Sequence, residues 1–152
     1  MPKQNYTSLL FLVLATLLNT ACEKDHMFDC FKGTGSDETA TCSVPFFNRV
    51  YVYNNVDAEI HPCHDFKIEV TAGSKLVESV TTEVKDSVLY VRNENKCNWV
   101  RSFQNKFKAK IYLPEMQELN AYGSGNIILG DTIRTSEFVY NSWSATGDIL
   151  LL

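Results

Sequence analysis

The chain reads as an all-β protein, and three features of its 152 residues point that way. From Val44 onward apolar and polar residues alternate with period two, the pattern of half-buried strands rather than helices. Aromatic residues make up 12% of the chain and β-branched residues are frequent, a composition that packs well on a pleated surface. The third feature is a recurrence near the end. Ala121-Tyr122-Gly123-Ser124-Gly125-Asn126-Ile127 returns as Trp143-Ser144-Ala145-Thr146-Gly147-Asp148-Ile149, with Gly147 falling 22 residues after Gly125. A small-residue turn followed by a short strand at that period is what a coil of a parallel β-helix produces, and a meander of two hairpins gives similar punctuation.

The first 21 residues read as an export leader. Lys3 and the amino terminus give a positive start, Leu9 to Leu18 form an apolar core, and Thr20-Ala21 place small residues before Cys22. A ten-residue core spans roughly 15 Å as a helix, about half a bilayer's hydrocarbon thickness, so it is a signal core and not a membrane span. Charge follows at once in Glu23-Lys24-Asp25. The pattern is that of a bacterial lipoprotein signal, with Cys22 as the acylated first residue of the mature chain. Asn19 stands where such signals usually carry an aliphatic residue, but it suits an ordinary Ala-x-Ala-like cleavage site poorly as well. Lipid attachment at Cys22 is therefore expected, with plain secretion as the alternative. Acyl chains, each stabilising insertion by about 0.8 kcal/mol per buried CH₂, make the membrane a partner through Cys22.

Residues 22–152 suffice for one domain with a real core. Without Lys3 there are 13 basic side chains against 18 acidic ones, a net charge of −5. That balance argues against nucleic acid as a partner, which demands a basic footprint. Four cysteines remain after Cys22: Cys30, Cys42, Cys63 and Cys97. An even number in an oxidising compartment suggests disulfides, and four cysteines allow three pairings. No Cys-x-x-Cys spacing is present, and His61-Pro62-Cys63-His64 reads as a turn between strands, so no metal or cofactor is expected.

Residues 22–43 carry charge, Gly33, Gly35, Ser36 and several threonines, and read as a tether and lead-in segment; residues 44–152 form the β domain. Phe46 to Tyr53 is a strand closed by Asn54-Asn55. Val56, Ala58 and Ile60 then alternate with Asp57, Glu59 and His61. After the turn at 62–65, Phe66, Ile68 and Val70 alternate with Lys67, Glu69 and Thr71. Gly73-Ser74 breaks this run, which resumes through Val77, Val80 and Val84; Lys85-Asp86-Ser87 is a turn, and Val88 to Val91 a further strand. Phe107, Ala109, Ile111 and Leu113 alternate with Lys106, Lys108, Lys110 and Tyr112, ending at Pro114, which cannot donate to a ladder. The lysines read as a solvated outer strand face rather than a polyanion patch. Phe138, Tyr140 and Ser142 alternate with Glu137, Val139 and Asn141.

At several of these stretches the sequence resembles a known family. They are Cys30-Phe31-Lys32-Gly33-Thr34-Gly35, Pro45 to Val50, Val70-Thr71-Ala72-Gly73, Thr82 to Asp86, Leu89 to Asn93, Ile111-Tyr112-Leu113-Pro114 and the Gly123-Ser124-Gly125-Asn126-Ile127 turn. The most specific is Asn95-Lys96-Cys97-Asn98-Trp99-Val100-Arg101-Ser102. They resemble the domain-of-unknown-function group described as putative auto-transporter adhesin, head GIN domain, common among Bacteroidetes lipoproteins. The resemblance implies a right-handed parallel β-helix-like solenoid, against which an antiparallel β-sandwich is the alternative. It also implies a Cys30–Cys97 bridge, leaving Cys42 with Cys63 by default. A loop of 68 residues closed by the first bridge would add about 4 kcal/mol by chain entropy. Family members usually continue through further Gly-Ser-Gly coils, whereas this sequence stops at Asp148-Ile149-Leu150-Leu151-Leu152. Truncation, a terminus stacking on another copy, and a terminus tucked under the fold all fit such an ending.

Catalysis finds little support, since no Gly-x-Ser-x-Gly elbow, phosphate loop or His-Glu-x-x-His helix is present. A β-helix polysaccharide-degrading enzyme would need grouped carboxylates, and Asp57, Glu59 and Glu69 are the candidates. The expected function is a non-catalytic envelope lipoprotein, binding or adhesion-like, with a glycan or protein ligand. An envelope structural or sensing role is the alternative. Tyr51, Tyr53, Tyr112 and Trp143 are the candidate contact aromatics, some of which must instead fill the core. The expected location is the outer membrane, on its periplasmic or its surface-exposed face; Glu23-Lys24-Asp25 resembles acidic surface-export tags.

Overall fold

The computed structural model describes residues 34–95, 107–130, 135–143 and 146–152. The leader, Cys22, Cys30, Cys97 and nearly all of the 95–102 motif lie outside the described residues.

The described chain is built from strands: β1 (Asp37–Ser43), β2 (Arg49–Asn54), β3 (Val56–Pro62), β4 (Lys67–Gly73), β5 (Val80–Lys85), β6 (Val88–Asn93), β7 (Phe107–Leu113), β8 (Glu118–Gly123), β9 (Ile127–Leu129), β10 (Val139–Trp143) and β11 (Ile149–Leu151). A 3₁₀ turn at Val77–Ser79 precedes β5. Among the described residues no helix is long and apolar enough to cross a membrane. Period-two burial is clear in β2, β3, β4, β7 and β9. In β7, Phe107, Ala109, Ile111 and Leu113 are buried while Lys108 and Lys110 are exposed. The lead-in segment ends in a strand rather than a tether, because β1 pairs with β4 along its whole length.

The strands form two mixed sheets, one ordered β1-β4-β7-β3-β9-β11 and the other β10-β8-β2-β6-β5. Ladders among β7, β3, β9 and β11, and among β10, β8, β2 and β6, are parallel. Those joining β1 to β4, β4 to β7 and β5 to β6 are antiparallel. One hydrophobic cluster draws on both sheets. The layering is that of the sandwich alternative, but most ladders are parallel rather than antiparallel.

Four strand pairs, β10/β11, β8/β9, β2/β3 and β6/β7, hold the same rank in both sheets, each giving one strand to either layer. A simple solenoid stacks its coils in chain order. Here β2/β3 lies inside, flanked by later pairs on both sides, and β4 and β5 run against the stack. The physical reason lies in the turns. Asp86 and Ser87 both adopt positive φ (51° and 62°), which suits a tight two-residue hairpin and sends β6 back along β5. Alternation marks a strand without fixing its direction, so the sequence pattern did not contain this reversal.

Across the stack, like residues fall in rows. Ile68, Ile111, Ile60, Leu129 and Leu151 stand side by side across β4, β7, β3, β9 and β11. Leu89, Val50, Leu119 and Tyr140 do so across β6, β2, β8 and β10. The corners stack too. Asn126 N–H donates to Asp57 Oδ1 (2.8 Å), and Asp148 N–H donates to Asn126 Oδ1 (3.0 Å). A Cβ on Gly125 would run into the Val56 carbonyl, and Gly123 sits at φ 148° against the Asn54 carbonyl, so both corners require glycine. Buried Asn93 ties a further corner, donating from Nδ2 to Asn55 Oδ1 (2.6 Å) and accepting Asn54 Nδ2 at its carbonyl (2.7 Å).

The Cys42–Cys63 bridge is not formed: both thiols are free, Cys42 exposed and Cys63 half-buried. Cys42 lies on β1, and Cys63 directly follows β3, with its N–H on the Leu113 carbonyl of β7. Strands β4 and β7 intervene, so the two lines of chain stand about 14 Å apart, whereas a disulfide requires Cα atoms within roughly 7 Å.

Candidate functional site

The outer face of the five-stranded sheet carries the densest group of half-exposed aromatic side chains. Alternation sends Val50, Val52, Leu89, Val91, Leu119 and Ala121 into the core. It leaves Tyr51 and Tyr53 of β2, Tyr90 and Arg92 of β6, Tyr122 of β8 and Trp143 of β10 on the other side. In-register pairing then aligns Tyr53, Tyr122 and Trp143 across three parallel strands. The Tyr53 and Tyr122 rings stack at 4.7 Å with planes 7° apart, and Tyr122 and Trp143 follow at 6.5 Å and 7°. Arg92 closes one end, its guanidinium 5.2 Å from the Tyr53 ring centre and 4.6 Å from that of Tyr90. Each such contact contributes about 0.5–1.5 kcal/mol beyond area burial. The rings therefore stand on the sheet like books on a shelf, covering each other's faces and presenting edges and hydroxyls outward.

Beside this row runs a second, of Tyr90, Tyr51, Asn120 and Asn141. Tyr51 meets Tyr90 edge to face at 5.5 Å. Its hydroxyl donates to Glu118 Oε1 (3.2 Å), which also accepts Asn120 Nδ2 (2.6 Å); Asn141 Nδ2 donates to Asn120 Oδ1 (3.0 Å). Burial, and then the neighbouring Glu118 carboxylate, raise the Tyr51 phenol above its ordinary value. Burial and then Tyr122 raise that of Tyr53.

Of the four aromatics singled out from sequence, Tyr51, Tyr53 and Trp143 meet here, while Tyr112 is on the opposite layer. None of the four is in the core. Tyr112 belongs to a charged cluster on the outer face of the six-stranded sheet. Its hydroxyl donates to Glu69 Oε2 (3.2 Å), its ring stacks on His61 (5.3 Å), and Lys67 Nζ lies 4.2 Å over it and 2.8 Å from Glu69 Oε1. The Lys67 hydrogen bond, with the Tyr112 hydroxyl, holds the Glu69 carboxyl below its usual range, and Glu69 in turn raises the Lys67 amine. Glu59 lies 2.9 Å from His61 Nε2 and 3.6 Å from Lys110 Nζ. An open concavity of about 260 Å³ here is lined by Asp57, Glu59, Lys108, Lys110, Asn126 and Ile128. The three candidate carboxylates of this face, Asp57, Glu59 and Glu69, the first two lining the concavity, are each engaged by a neighbour.

Sequence reading missed Tyr90, Tyr122 and Arg92. The 22-residue recurrence held the signal for Tyr122 but misaligned it. Ile149 pairs with Ile127 at offset 22, yet Trp143 pairs with Tyr122 at offset 21, because the last corner holds one more residue.

No curated protein is significantly similar to the chain in sequence. Several solved structures share its fold. A putative adhesin from Bacteroides fragilis matches with a TM-score of 0.68 at 19% identity, covering 76% of this chain and 53% of its own. One from Parabacteroides merdae matches at 0.61 and 19%, covering 78% and 54%. A protein from Parabacteroides distasonis described as a putative lipid binding protein matches at 0.60 and 21%, covering 72% and 47%. The chain thus spans about half the length of these structures. The profile of one family covers residues 46–151, and the chain belongs to that family, described as "Putative auto-transporter adhesin, head GIN domain".

Proposed function

We propose that the domain is a non-catalytic, adhesion-like binding module of the cell envelope, anchored by lipid at Cys22, and that it grips a protein partner through the outer face of the five-stranded sheet. The observation that carries this reading is the ordered row Arg92, Tyr53, Tyr122, Trp143 with Tyr51 and Tyr90 beside it. Tyrosine, tryptophan and arginine supply most of the binding energy in protein interfaces, and rings already locked by stacking lose little entropy on contact. A protein is favoured over a glycan for a geometric reason. Sugar rings dock on exposed aromatic faces, and this row consumes its faces internally, leaving the outer indole face of Trp143 free for such a role. The adhesin descriptions of the family and of its structural relatives support the same class of function and an envelope location.

The test is binding of the wild-type chain to panels of envelope and extracellular proteins and to a glycan array, compared with Tyr122→Ala and Arg92→Ala. Each variant is expected to weaken a protein contact at least about tenfold, the cost of one hot-spot residue. Lys108→Ala and Lys110→Ala on the opposite layer should leave it unchanged. Binding confined to glycans, or abolished by the two lysine variants, rejects the proposal. Metabolic labelling with palmitate, lost in Cys22→Ser, tests the anchor.

A further inference from the structure

We infer that the concavity on the outer face of the six-stranded sheet is a second binding site, and that it takes one sugar residue carrying a carboxylate, a uronate unit of a glycan. It lies on the layer opposite the proposed protein-binding face and stands without that reading. The hollow follows from the directions in which two carboxylates are held. Asp57 and Glu59 are outward neighbours on β3, with the backbone of Ala58 as a floor between them. Asp57 Oδ1 accepts the Asn126 N–H (2.8 Å) on the β9 side. Glu59 is held by His61 Nε2 (2.9 Å), two residues farther along β3, and by Lys110 Nζ (3.6 Å) on β7. The strand between the two carboxylates is left bare. Lys108 and Lys110 of β7, in register with Asp57 and Glu59, bound one side of it; Asn126 and Ile128 of β9 bound the other.

The lining keeps unused capacity of four kinds. Among the described residues none pairs with the Lys108 amine, which is exposed. The second oxygen of Asp57 meets no donor among them either. Asn126 accepts the Asp148 N–H at its amide oxygen (3.0 Å) and keeps its amide N–H groups as donors. Ile128, half-buried, adds an apolar wall. One ligand matches all four: a carboxylate for Lys108, hydroxyls for Asp57 and Asn126, and the C–H face of a ring for Ile128. Rival ligands each leave something unmatched. Two lysines against two carboxylates make the hollow neutral, so a phosphate or a polyanion finds no attractive field there. A neutral sugar leaves Lys108 without a partner. An amino acid satisfies Lys108 and Asp57 but brings no ring to Ile128. The volume, about 260 Å³, is below the roughly 300–1,000 Å³ of sites that enclose drug-sized ligands, which suits a single ring.

The experiment is an NMR titration of the full chain in mild detergent, following backbone amides, with methyl glucuronide as the probe and methyl glucoside, glycine and acetate as comparisons. The glucuronide is expected to shift amides at 57–59, 108–110 and 126–128 with a dissociation constant of about 1 mM, and each comparison to bind at least about tenfold more weakly. Lys108→Ala should weaken the glucuronide at least about tenfold, the loss of one charge-assisted hydrogen bond. Asp57→Asn, which keeps an oxygen for the Asn126 N–H, should do the same. Unaltered amide positions away from the substitution check that each variant folds. Tyr122→Ala, which reads the protein contact on the other layer, should leave the glucuronide unaffected, so the two readings stand or fall separately. Equal binding of glucoside, glycine or acetate, shifts centred outside the hollow, indifference to both variants, or no shift at about 20 mM would overturn the inference.

Discussion

Ile60→Ala and Leu151→Ala remove the same three carbons from the same aliphatic row, and the structure predicts very different costs. Ile60 is fully buried, in register with Ile111 on one side and Leu129 on the other. Losing three buried carbons forfeits about 2.4 kcal/mol of transfer free energy at about 0.8 kcal/mol each. A residual cavity between two parallel ladders, which cannot close without shifting three strands, brings the total to about 3–4 kcal/mol. In a domain of this size that lowers the melting temperature by roughly 10–15 °C. Leu151, at the end of the row, is 71% exposed, so its truncation should cost less than about 1 kcal/mol in dilute solution. Urea unfolding of both variants reads the two numbers directly. Equal costs, or an Ile60→Ala loss under about 1 kcal/mol, would show that the rows do not pack as described.

Three further outcomes follow from particular contacts. Gly125→Ala drives a methyl into the Val56 carbonyl, backbone against backbone, and should lower the melting temperature well beyond the few degrees of an ordinary glycine-to-alanine change; a neutral result in a thermal melt would refute the tight corner. Because the Glu69 carboxyl is held down chiefly by the Lys67 hydrogen bond, its share of stability is present above the ordinary glutamate range and disappears as pH falls through its depressed value. A carboxyl-carbon NMR titration should find its midpoint below the ordinary glutamate range and moving upward in Lys67→Met; an unmoved midpoint contradicts that contact. Cys42, exposed and unbonded, should react with iodoacetamide in the native protein faster than half-buried Cys63, and a peptide map showing the two linked would disprove the strand order between them.

Much of this fold is legible in the sequence, and the illegible part has a common cause. β3, β4 and β7 are plain because one face of each is buried and the other wet, so apolar and polar residues must alternate. The stacked corners are plain because only glycine tolerates the close approach at residues 123 and 125. By contrast β1 is exposed along all seven residues and leaves no burial pattern to read. β8 hides because Asn120 faces outward yet is covered, bonded to Glu118 and Asn141, so three consecutive residues are buried and the alternation fails. The direction of each strand is set by turns such as Asp86-Ser87, and periodicity carries no sign. The same limit governs the candidate face: Tyr51, Tyr53 and Trp143 can be named from alternation, but Tyr122 becomes their centre only when three strands separated in sequence lie parallel and in register.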